Sequence, residues 1–73
     1  MGIQHNKAFG IYHWDTFEEE PGLDTILVGE ADTLEEAERK VVEKYGDRII
    51  YNGADEVQIV NRQGKVVRSY AVA

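Results

Sequence analysis

The chain has 73 residues with no cysteine, and its 14 acidic and 8 basic side chains leave a formal net charge of −6. That length holds one domain near the lower size limit, since chains of about 60 residues bury only about 60% of the surface they expose unfolded. Disulfides, thiol chemistry and Cys-based zinc sites are excluded, and direct nucleic-acid binding is disfavoured because it needs a basic face.

The acidity is uneven, with eleven acids against four bases in residues 1–46 and three against four in residues 47–73. Apolar runs such as Ile26-Leu27-Val28 are far too short to span a bilayer or to act as a signal, so a soluble, cytoplasmic chain with no membrane partner is expected.

Residues 1–7 show no periodicity and are expected to fray, leaving 8–73 as the folded domain. From Ala8 the chain alternates: Phe9, Ile11 and His13 point one way, Gly10, Tyr12 and Trp14 the other, the period-2 pattern of a strand. A second strand is expected at residues 25–31, with Ile26 and Val28 opposite Leu27 on the pleat. Pro21-Gly22 and the acids before it make residues 18–24 a solvated connection between two antiparallel strands.

Thr33 followed by Glu36 is a capping box that opens a helix, and Gly46 stops it. Along residues 34–45, Leu34, Ala37, Val41 and Tyr45, with Val42 beside them, recur at helical spacing and must lie on a sheet. Glu35, Glu36, Glu38 and Glu43 read as a solvated helix surface, with Glu35 to Arg39 and Glu36 to Lys40 as supporting pairs. Residues 48–51 fit either a short strand or a packed connection before the Asn52-Gly53 turn. Residues 57–60 and 65–72 then form two strands joined by Asn61-Arg62-Gln63-Gly64.

The order ββαββ predicts a two-layer α+β domain in which a four-stranded, mainly antiparallel sheet carries one helix on one face. One helix leaves the other sheet face uncovered, and the strands have apolar residues on both sides. The uncovered face, with Tyr12, Trp14, Val60, Val66 and Tyr70, is therefore the expected partner or homodimer interface. Tyr12, Trp14 and Tyr70 resemble a base-stacking platform, but the surrounding basic residues that such platforms need are few, and core or interface packing is the expectation. Asp15, Glu18, Glu19, Glu20 and Asp24 form a candidate acidic docking surface beside Trp14 and Phe17. His13 and Asp15 share a strand face, yet no fixed ligand set accompanies them, so no metal is expected. Catalysis has no visible basis: Ser69 is the only serine, both histidines precede residue 14, and the glycines are scattered rather than gathered into a phosphate loop, so no cofactor is expected.

Residues 25–31, Thr33-Leu34-Glu35-Glu36-Ala37, residues 56–60, Arg62-Gln63-Gly64 and Arg68-Ser69-Tyr70 together resemble small bacterial domains of unknown function with two strands, a Thr-x-Glu-Glu-Ala helix start and a closing hairpin ending in Ser-Tyr. In size, acidity and strand order the chain is also similar to small phage inhibitors of host defence, anti-CRISPR proteins among them. The first resemblance implies a fold and no activity. The expected function is a non-enzymatic protein–protein interaction module that self-associates through the uncovered sheet face. The alternative is an acidic phage-type inhibitor that occupies a nucleic-acid-binding surface of a larger protein.

Overall fold

A computed structural model describes residues 5–15 and 26–73, with only the backbone of Asp15. The elements are β1 (Phe9–Asp15), β2 (Ile26–Ala31), α1 (Leu34–Tyr45), β3 (Asp55–Val60) and β4 (Val66–Val72), with a 3₁₀ turn, Gly46–Arg48, closing the helix. The strands form one sheet in the order β2-β1-β3-β4, antiparallel at every pairing. β2 and β3 both oppose β1 and so run parallel to each other, and α1 is the crossover between them. The expected ββαββ architecture is the one found.

The helix ends where local chemistry places them. Thr33 is extended, and its Oγ1 accepts the Glu36 N–H at 3.1 Å. The Gly46 N–H makes the last helical bond, to the Val42 carbonyl, and at φ 48° the residue then takes the chain out of the helix, a conformation that costs little without a Cβ. Ala37, Val41 and Tyr45 are buried, and Leu34 packs partly against them. Val42, expected beside this face, is instead 57% exposed, because it turns past the edge of the stripe. The Glu36–Lys40 pair forms at 3.3 Å, whereas Arg39 faces Glu43 at 3.8 Å.

Against the helix lie Ile11 from β1, Ala31 from β2, Val57 and Ile59 from β3 and Val72 from β4. Two bulges break the alternation. One leaves Val28 unpaired between Ile11↔Gly29 and Tyr12↔Leu27; the other leaves Val67 unpaired between Ile59↔Arg68 and Val60↔Val66. In the hairpin, Asn61 Oδ1 accepts the N–H groups of Gln63 and Lys65, and Gly64 takes φ 83°.

Residues 48–51 are a packed connection rather than a full strand. Ile49 bridges Val72, the Ile50 N–H donates to the Ala71 carbonyl at 3.0 Å, and the Ala73 N–H donates to the Arg48 carbonyl at 2.7 Å. Gly53 then passes so close to β4 that a Cβ there would lie 2.5 Å from the Val72 nitrogen.

Candidate functional site

The sheet face away from α1 is built from Gly10, Tyr12 and Trp14 on β1, Leu27 and Glu30 on β2, Glu56, Gln58 and Val60 on β3, and Val66, Ser69 and Ala71 on β4, as register and alternation require. The expected contacts Trp14, Val60 and Val66 share this face, and Val66 is 42% exposed. Trp14 is half-buried, and its indole N–H has no hydrogen-bond partner among the described residues. Beside it, Glu56 accepts from the Ser69 hydroxyl at 2.5 Å and from Gln58 Nε2 at 2.9 Å, so the middle of the face is polar.

Tyr70 does not join them. It stands opposite fully buried Val57, on the helix side, because the bulge at Val67 reverses the parity of β4 between Val66 and Arg68. Burial, and then the Glu38 carboxylate, push its hydroxyl pKa above the ordinary range. The three rings Tyr12, Trp14 and Tyr70, which simple alternation puts on one face, are therefore split between two faces.

Tyr12 is itself covered. Residues 5–7 lie within the stretch expected to fray, and here they form a strap across one end of the face. His5 is 4% exposed, its Nδ1 lies 2.9 Å from Tyr12 Oη, and the two rings meet edge to face. The ring sits where Gly10 has no side chain, since a Cβ there would lie 2.6 Å from His5 Cγ. The Glu30 carboxylate accepts the Asn6 and Lys7 N–H groups, and Arg62 Nη1 donates to the Asn6 carbonyl at 2.6 Å. Those two backbone bonds hold the Glu30 pKa below the ordinary glutamate range, because they favour the charged form.

The acidic docking surface falls outside the described residues, apart from the Asp15 backbone at the end of β1. His13 has different partners from those its sequence neighbourhood offers. Its Nε2 lies 2.9 Å from Asp55 Oδ2 on β3 and its Nδ1 lies 2.9 Å from Tyr45 Oη on α1. A carboxylate only accepts, so Nε2–H donates to Asp55, and in the neutral ring Nδ1 accepts from the Tyr45 hydroxyl. Arg48 lies over the Tyr45 ring at 5.4 Å, and burial pushes the Tyr45 pKa up despite that cation. Both imidazole nitrogens thus have protein partners. Among the described residues, no three His, Asp or Glu side chains converge as a metal-ligand set.

An open groove of about 380 Å³ lies between α1 and the β2 edge, lined by Ile11, Val28, Gly29, Lys40, Val41, Glu43, Lys44 and Tyr45. Fold and surfaces together define a small two-layer α+β module with a strapped sheet face and a helix-side groove. No family model, curated protein or solved structure matches the chain.

Proposed function

We propose that the protein is a non-enzymatic protein–protein interaction module that pairs with a second copy of itself through the sheet face left uncovered by α1. The reading rests on one observation: among the described residues, Trp14, at the opposite end of the face from the strap, and Val66, 42% exposed on the edge strand, have no second layer. An aromatic ring and an exposed valine on one sheet face, with polar side chains between them, offer the mix of apolar and polar area usual in subunit contacts. A face-to-face pair would also give so small a domain the burial that one helix cannot supply. The occupied nitrogens of His13 support the non-enzymatic part of the reading.

Light scattering across a concentration series tests it. The expected result is twice the monomer mass at tens of micromolar, reverting to the monomer in Val66→Lys with an unchanged circular dichroism spectrum. A wild-type protein that stays monomeric at millimolar concentration would rule out self-association through this face.

A further inference from the structure

We infer that the groove between α1 and β2 is a binding site for a small amphipathic carboxylate, with the alkyl part over Gly29 and the carboxylate at Lys40 and Lys44. The groove exists because β2 presents small residues to the helix. Gly29 stands opposite buried Ile11, so a side chain at 29 would point into the space between β2 and α1. Nothing in the backbone calls for glycine there: Gly29 is not among the positive-φ glycines, and a Cβ would meet only Ile11 Cδ1, at 3.4 Å, the edge of ordinary van der Waals contact. A larger residue would fill the gap and add burial that so small a domain needs. The groove is a space the sequence leaves open, and its volume lies within the range of small-ligand sites.

The lining selects the ligand. Ile11, Val28, Val41 and the Tyr45 ring supply an apolar floor, while Lys40 and Lys44, one helical turn apart, stand on the same wall. Lys40 Nζ donates to the Glu30 carbonyl at 2.6 Å and pairs with Glu36, which leaves one of its three N–H donors. Among the described residues, Lys44 forms no ion pair or hydrogen bond. The wall's one acid, Glu43, faces Arg39. An apolar floor with a spare cation fits an alkyl carboxylate better than an added β-strand, because the Lys40 ammonium already caps the Glu30 carbonyl on β2.

The test is a titration of the ¹⁵N-labelled protein with octanoate, followed by amide shifts and repeated with octanol. Octanoate is expected to give saturable shifts at Val28, Gly29 and Val41 with a Kd below about 1 mM, and octanol is expected to bind more weakly. Lys44→Gln should weaken octanoate roughly threefold to fivefold, the range of an exposed charge pair, and leave octanol unchanged. Gly29→Leu should abolish both and melt no lower than wild type. Non-saturating shifts, equal affinity for octanol, or octanoate binding unaffected by Lys44→Gln would each overturn the assignment. The Lys44 variant decides the matter even if Gly29→Leu fails to fold, because Lys44 is exposed and unpaired among the described residues.

Discussion

Replacing Tyr45 by Phe and His13 by Ala, singly and together, measures how far the Tyr45–His13–Asp55 chain ties the helix to the sheet. Tyr45→Phe removes one hydroxyl and its 2.9 Å bond to His13 while keeping the buried ring. A hydrogen bond of this kind is worth about 1 kcal/mol net, and the 21% exposure of the His13 side chain lets water replace part of it. His13→Ala removes both bonds and the ring contact at 5.5 Å, a combined loss of roughly 2–3 kcal/mol. Against a total stability of roughly 4–11 kcal/mol for a chain of this length, that is a large fraction. With about 4–8 °C per kcal/mol for a domain of this size, Tyr45→Phe should melt about 4–8 °C lower and His13→Ala about 10–20 °C lower. In the double mutant the two losses should fall short of additivity by about 1 kcal/mol, because the same bond is removed twice. Chemical denaturation of all four proteins gives the coupling directly. A coupling near zero would show that the bond contributes nothing beyond what water supplies, and the view of this chain as a tie between layers would fall.

The strap should respond to acid. Because the folded Glu30 pKa is lowered, its contribution is complete above the ordinary glutamate pKa of about 4.3 and is lost as the pH falls through the lower folded value. The Asn6 and Lys7 amide signals should therefore move toward unstructured positions in that window, and an identical acid profile in Glu30→Gln would contradict the assignment. Gly53→Ala should cost about 1–3 kcal/mol, because the added carbon meets Val72 main chain that cannot yield as a side chain would; an unchanged melting temperature would show that the connection can lift off β4. Thr33→Ala should cost about 1 kcal/mol through the lost cap to Glu36, and thermal melts beside Thr33→Ser, which keeps the acceptor, would isolate that bond.

The helix bounds and its inner stripe, Val42 apart, were legible because their signals are local: a capping threonine, an apolar spacing and a stop glycine all act within a few positions of one another. The Asn61–Gly64 hairpin was legible for the same reason. Side-chain facing was not, wherever a bulge intervened. Val66 and Tyr70 have the same parity, and Leu27 and Gly29 likewise, so simple alternation puts each pair on one face; the unpaired Val67 and Val28 separate them. The Tyr45–His13–Asp55 chain draws on three elements far apart in sequence, and Tyr45 was read only as an apolar member of the helix stripe. Its hydroxyl was the available signal, since a buried tyrosine usually finds a partner for its O–H, and His13 stands on the inward parity of β1 with Ile11. The strap carries no periodicity, and besides Tyr12 on the strand that follows it, its hold comes from Glu30 and Arg62, 24 and 56 residues from Asn6.

The position of β1 sets the order in which the molecule can assemble. β1 lies inside the sheet, yet it precedes all the other strands in the chain, and its pairing with β3 joins positions about 40 to 50 residues apart. As a ribosome extends the polypeptide, β1, β2 and α1 emerge with one long edge of β1 unpaired. That edge stays open until the β3–β4 hairpin arrives to close it. Distant pairings of this kind slow folding, and open strand edges invite intermolecular pairing in the meantime. Until β3 pairs, that edge is the one open to a strand of another chain, and a tight Asn61–Gly64 turn that zips β3 and β4 together quickly shortens that interval.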